Sequence, residues 1–326
     1  MKKTKLLILL FFVYQMQFAQ YTDDINSNRP GKSMMAFSVG KTVFQAETGL
    51  NFQNEDHSKL KYNANGFIAE LDVRWGLFFE QLEFIAELQY QNDKYETVFS
   101  SSNRSALKET LIGAKYLIYD PFKNFEEEDN LYSWKANHKF KWRQLIPVFS
   151  AYAGVNLNFT DNPFNFANID EPIISPKAML IAQNHFGRRW VFVTNLMYDK
   201  IGTELSSINY IFTLTRGFNR RWSGFVENQG YNGDYYSDGV FRGGAAYLIT
   251  SDMQVDVSIG KNIKDTPALF NFGAGFSWRF DANYEPVKLE QENGTKIENK
   301  MKKRQDKQKK KKEKEFEKIF NQKEKE

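Results

Sequence analysis

The sequence predicts an all-β protein, a transmembrane antiparallel up-and-down β-barrel of about 12 strands with a charged C-terminal tail. Three observations predict it. Apolar and polar residues alternate with a period of two in segment after segment. The chain is rich in aromatics, at 16%, yet polar overall, with a mean hydropathy of −0.58. The tryptophans gather at one end of the predicted strands.

The start of the chain reads as an export signal. Lys2, Lys3 and Lys5 form a basic stretch, Leu6 to Tyr14 is unbroken apolar sequence, and Ala19 offers a small residue for cleavage. The apolar run is too short to cross a bilayer as a helix, so residues 1–19 are expected to be a secretory signal peptide. The sequence has Cys 0, which excludes a lipoprotein anchor, disulfides, thiolate metal sites and a Cys nucleophile. Residues 20–42 follow as an N-terminal periplasmic segment, and 43–280 as the barrel. A helical membrane protein would need further long apolar runs, and none follows. A membrane barrel needs none, because every second strand residue faces the lumen and can be polar.

The alternation locates the strands, since successive side chains of a strand point to opposite faces. In the first, Phe44, Ala46, Thr48, Leu50 and Phe52 oppose Gln45, Glu47, Gly49, Asn51 and Gln53. In the third, Leu82, Phe84, Ala86 and Leu88 oppose Glu83, Ile85, Glu87 and Gln89. In the last, Phe270, Phe272, Phe276, Trp278 and Phe280 oppose Asn271, Gly273, Ser277 and Arg279. Strands are expected at 43–54, 65–76, 81–92, 106–119, 144–158, 175–185, 189–200, 206–216, 220–232, 238–248, 252–263 and 268–280. Tight turns are expected at Gly187-Arg188, Gly217-Asn219 and Thr250-Ser251, and longer loops at 55–64, 93–105 and 159–174. The segment 120–143 is long for the periplasmic side on which the strand count places it. Trp75, Trp142, Trp190, Trp222 and Trp278 fall at the periplasmic ends of strands, and Trp134 lies in the long segment. That is where an aromatic girdle belongs, its rings in lipid and its indole N–H groups near water. The last strand closes on alternating aromatics after Gly275, which resembles the C-terminal signal read by the barrel-assembly machinery.

A family resemblance adds to this reading. Asn28-Arg29-Pro30-Gly31, then Gly40-Lys41 leading to Gln45-Ala46-Glu47-Thr48-Gly49, resembles the opening of the MetA-like outer-membrane transporters named after the phenol-degradation meta pathway. Val73-Arg74-Trp75-Gly76-Leu77 with Leu82-Glu83, Ile112-Gly113-Ala114-Lys115-Tyr116 and Phe225-Val226-Glu227 resemble further parts of the same family over roughly 28–280. The resemblance implies a barrel with a channel role and no particular substrate. The 120–143 segment and the charged tail depart from the family pattern.

The lumen face is expected to carry the chemistry. Its acids are Glu47, Glu70, Asp72, Glu83, Glu87, Glu109, Asp199, Glu227 and Asp256, and its bases Arg74, Lys115, Lys177, Arg242 and Arg279. The acids concentrate in the first three strands, with Arg74 the only base among them. Either they form a stripe that favours cations or orients a polar solute, or they pair and partly fill a narrow barrel. No catalytic set emerges. His57, His138 and His185 are scattered, no His pair has metal-ligand spacing, and no Ser and His share a strand surface as an outer-membrane phospholipase would need. There is no phosphate-binding Gly loop, so no cofactor and no metal are expected.

Residues 281–326 form a charged periplasmic tail, disordered or partly helical, that could touch peptidoglycan or a periplasmic protein. The net charge of +4 sits mostly there and does not suggest nucleic acid. The expected partners are outer-membrane lipid, lipopolysaccharide and, during insertion, the assembly machinery. The expected function is an outer-membrane channel or transporter for small polar or amphipathic solutes. The alternative is a non-conducting structural or adhesion barrel with a packed lumen.

Overall fold

A computed structural model describes residues 25–122, 142–159, 162–164, 171–187 and 189–281. The expected signal peptide, Trp134, His138, most of the 120–143 segment and the tail beyond Asp281 lie outside the described residues.

Twelve strands form a closed antiparallel barrel in which each pairs with its sequence neighbours and the last pairs with the first. They are β1 (Val43–His57), β2 (Tyr62–Gly76), β3 (Leu82–Thr97), β4 (Ser101–Tyr119), β5 (Val148–Leu157), β6 (Ile174–Phe186), β7 (Trp190–Asp199), β8 (Ser207–Gly217), β9 (Trp222–Gly233), β10 (Ser237–Thr250), β11 (Met253–Asn262) and β12 (Ala268–Asp281). Closure runs from Val43 opposite Asp281 to Asp56 opposite Ala268, so no edge is left unpaired along that seam.

The period-two pattern sorts the faces. Leu50, Phe52, Phe84, Leu88, Phe272 and Phe276 are exposed on the outer wall, while their neighbours Glu47, Glu83, Arg74 and Ser277 are wholly buried inside. An exposed apolar wall around a polar interior is the surface a bilayer requires. Trp75, Trp190, Trp222 and Trp278 are exposed and sit at the end of the barrel where β1 begins and β12 finishes. Trp142 is exposed in a short 3-10 helix, Trp142–Leu145, ahead of β5.

The structure departs from expectation at three places. The loops expected at 55–64 and 93–105 are mostly strand, leaving only tips at 58–61 and 98–100. The ladder outlasts the apolar pattern because polar side chains hold it. Arg104 grips Asp93 with two bonds of 2.9 and 2.8 Å, and Tyr62 donates to Glu55 at 2.5 Å. The strand expected from 144 begins at Val148, because Pro147 has no N–H to give to a ladder. The third departure concerns residues 25–42. Expected as a periplasmic segment, their residues 25–40 instead bond to inward-facing side chains of the barrel.

Candidate functional site

The site is the lumen at the end where β1 begins, and residues 25–40 are its central element. This stretch has no ladder of its own, so its backbone groups must find side-chain partners or remain unsatisfied. The barrel wall supplies them. The Arg29 N–H donates to Glu47 Oε2 at 3.1 Å, and the Lys32 N–H to Glu227 Oε2 at 3.0 Å. The Met34 N–H donates to Asn195 Oδ1 at 2.7 Å, and Asn195 Nδ2 donates back to the Met34 carbonyl at 2.9 Å. The Ala36 N–H donates to Gln183 at 2.9 Å, while Ser150 Oγ donates to the Ala36 carbonyl at 2.5 Å. Lys115 Nζ donates to the carbonyls of Met35 and Phe37 at 2.7 and 2.9 Å. The Val39 N–H donates to Glu83 at 2.8 Å, and Gln254 Nε2 donates to the Arg29 carbonyl at 3.1 Å. The partners come from β1, β3, β4, β5, β6, β7, β9 and β11, so the segment crosses the lumen as a plug.

Two kinds of wall receive it. Met34 and Ala36 pack into an apolar cluster with Ile85, Leu111, Leu117, Val148, Tyr152, Ile181 and Val193. On the other side lie the charged strands. Arg29 pairs with Glu70 at 3.1 Å and Asp256 at 3.2 Å, and Lys32 also reaches Glu70. The guanidinium fits because Gly49 and Gly275 face each other across β1 and β12. A Cβ on Gly49 would lie 2.2 Å from Arg29 Nη1, and one on Gly275 2.2 Å from Nε. Nearer the mouth at that end, Glu83 receives Arg74 at 3.1 Å and Lys115 at 2.7 Å, all three side chains wholly buried. A buried triad of this kind holds only when every charge has partners.

The candidate residues named from sequence divide accordingly. Glu47 takes Arg74 at 3.4 Å and the Ser27 hydroxyl at 2.7 Å. Glu70 and Asp256 receive the plug's cations. Glu109 takes Lys177 at 3.3 Å, and Glu227 takes Arg242 at 2.9 Å and the Thr213 hydroxyl at 2.8 Å. Asp199 accepts from Asn156 at 2.8 Å. Arg279 is buried opposite Gln45 across the β1–β12 seam. Asp72 and Glu87 face each other across β2 and β3, and neither has an ion pair with a base among the described residues. The acidic stripe of the first three strands therefore has far more basic partners than Arg74 alone, because Arg29 and Lys32 of the plug and Lys115 of β4 reach it. Among the described residues no group of three or more His, Cys, Asp or Glu could hold a metal ion.

Above the plug is a cavity of about 420 Å³. Arg29, Gly31, Lys32 and Met34 line it from the plug, Asp72, Glu87 and Lys108 from β2 to β4, and Met179, Met197 and Ile211 from β6 to β8. The wall thus carries charges on β2 to β4 and an apolar patch on β6 to β8 that Lys177 of β6 and Arg242 of β10 flank. Residues 25–40 were the part of the site that the alternation missed. The available signal was a glycine at an inward position on both seam strands, with Arg29 in a segment too short to span.

A closed twelve-strand membrane barrel with its own N-terminal segment in the lumen is the class these features define. The model of the family described as "Putative MetA-pathway of phenol degradation" matches residues 27–280, and the chain belongs to that family. The match begins inside the plug and ends on the last residue but one of β12. No curated protein matches the chain in sequence. Among solved structures, the chain is similar to an outer membrane channel from Pseudomonas putida F1, with 9% identity, TM-score 0.49, and coverage of 79% of this chain and 100% of that one. It is similar to the KdgM porin, with 11% identity, TM-score 0.41, and coverage of 71% and 99%. It is also similar to a deletion mutant of the TodX monoaromatic hydrocarbon channel, with 9% identity, TM-score 0.41, and coverage of 80% and 96%.

Proposed function

We propose that the protein is an outer-membrane channel for small polar or amphipathic solutes, closed at rest by residues 25–40 of its own chain. One observation carries this reading. The lumen is closed by residues 25–40, a segment outside the ladder that is joined to β1 and packed among inward side chains of the wall, and a cavity of about 420 Å³ remains above it. A closure built from a separate segment can move without disturbing the ladder, whereas a lumen packed by wall side chains cannot. The neighbouring porins and channels are consistent with the same class. The exposed aromatic and aliphatic wall would meet outer-membrane lipid and lipopolysaccharide, and the aromatic β12 would be the part read by the assembly machinery.

The packed-lumen alternative draws on the same segment. Its buried ion pairs and backbone bonds could make it a permanent core. Single-channel conductance separates the two. The wild type should show rare or small openings, and a chain lacking residues 25–40 should conduct steadily. A folded, heat-modifiable barrel without that segment that still passes no current would favour the structural barrel.

A further inference from the structure

We propose that the slot holding Arg29 is a recognition site for small solutes bearing a guanidinium or ammonium group, and that the plug closes the channel by occupying this site with its own cation. The proposal rests on the channel reading and names the solute class for the same lumen.

The slot is built for a planar cation. Glu70 of β2 and Asp256 of β11 meet the guanidinium from two sides, at 3.1 Å to Nη1 and 3.2 Å to Nη2. Charge-assisted bonds of this geometry favour a guanidinium over other groups of its size. Gly49 and Gly275 leave the flat space between them, where any Cβ would clash. Inward glycines weaken a strand, so a pair opposite one another marks a close approach by something else. Here that something is the Arg29 side chain, which reaches the slot from the plug inside the lumen.

The surrounding charge extends the argument. Lys32 enters the same region and pairs with Glu70. Asp72 and Glu87 stand next along the wall, directly opposite each other in register, and both line the cavity above Arg29. Like charges directly opposite across strands are destabilising, so a cation held between them relieves the pair, and Lys108 and Lys177 of the wall line the same cavity. If the plug withdraws, Arg29 and Lys32 leave together. Glu70, Asp72, Glu87 and Asp256 then face the lumen with no cation from the plug. An entering cation meets the same carboxylates that hold the plug, and each can displace the other. The apolar Met179, Met197 and Ile211 line the cavity on its far side and would take an aliphatic body.

The test uses the full-length refolded protein and agmatine, an alkyl chain with a guanidinium at one end and an ammonium at the other. Its neutral counterpart is butylurea. Arg29→Ala empties the slot and should bind agmatine about tenfold or more tightly than the wild type does by titration calorimetry, with butylurea binding to neither. Adding Glu70→Gln to Arg29→Ala should return the affinity to the wild-type level or below. A heat-modifiable Arg29→Ala barrel that binds agmatine no better than wild type, or binds butylurea equally, overturns the proposal. Should Arg29→Ala not refold, Arg29→Ser, which also empties the slot and leaves only a hydroxyl there, is read by the same two outcomes. Bilayer current is recorded alongside. Agmatine binding without conductance would leave the cation site standing and remove the channel. Conductance without agmatine binding would leave the channel and remove the site.

Discussion

Glu83→Gln should cost about 3 kcal/mol, although it is nearly isosteric and lies on the lumen face. Glu83 accepts from Arg74 Nε and Nη2 at 3.2 and 3.1 Å, from Lys115 at 2.7 Å and from the Val39 N–H at 2.8 Å. Removing one member of a wholly buried ion pair costs about 3–5 kcal/mol, since the other charge stays buried without compensation. Both bases keep other acceptors. Arg74 retains Glu47 at 3.4 Å and the Asn26 carbonyl at 2.6 Å, and Lys115 retains the carbonyls of Met35 and Phe37. That places the cost at the low end of the range. The new amide also puts an N–H where two cations donate. The assay is urea unfolding of the protein refolded into vesicles, reading the midpoint at constant slope, since an unchanged slope isolates stability from a change in compactness. Asp72→Asn is the control. Asp72 faces Glu87 directly, so losing its charge relieves repulsion, and its effect should stay within about 0.5 kcal/mol. Equal midpoints for the two variants would refute the account of Glu83 as the anchor of a charged triad.

Three further outcomes follow from the same geometry. Phe84→Arg puts a cation on the outer wall beside Glu83 and should cost up to about 2–4 kcal/mol, depending on its depth in the bilayer, so its folding into vesicles should be impaired far more than that of Asp72→Asn. Similar yields for the two would reverse the facing of β3. Gly275→Ala places a Cβ 2.2 Å from Arg29 Nε and should cost about 1–3 kcal/mol while dislodging the arginine. In bilayers it should raise the open fraction, and an open fraction equal to wild type would mean that Arg29 does not hold the plug. A chain ending at Asp281 retains the full β1–β12 seam, from Val43 opposite Asp281 upward, and should still give a heat-modifiable barrel. Loss of assembly would make the tail part of the fold or of its targeting.

The barrel was legible because its physics is local. Alternation in β3 and β12 reports which neighbour meets lipid, and that report needs no knowledge of the rest of the fold. The same signal faded where lipid ended. Asn54, Asn63, Asn65 and Arg104 carry polar side chains above the apolar band, so the strands there read as loop although their ladders continue. Residues 25–40 were illegible for a different reason. Their backbone bonds go to side chains distant in sequence, such as Asn195 and Glu227, and such bonding imposes no period on the segment itself. The inward Ile85, Met179, Ile181 and Val193 carried a clue that polarity rules passed over. Apolar residues facing a lumen need cover from water, and Met34 and Ala36 provide it.

The plug's sequence is therefore a reading of the wall it meets. Its first half, with Arg29 and Lys32, faces acids on β1, β2, β9 and β11. Its second half, with Met34, Ala36 and Phe37, meets the apolar cluster drawn from β3 to β8. The two halves answer to different forces. Ion pairs weaken as salt rises, though less so where they are buried, while apolar contacts are strengthened by salting-out anions. Raising potassium chloride should loosen the Arg29 half and spare the Met34 half, whereas sulfate at equal ionic strength should hold the second half more firmly. A cysteine replacing Lys32, which is partly exposed to the cavity, should become more reactive to a charged thiol reagent as chloride rises. One replacing Ala36, which is wholly buried, should not. Parallel changes at both positions would mean that the segment leaves the lumen as one body, with no charged half released first.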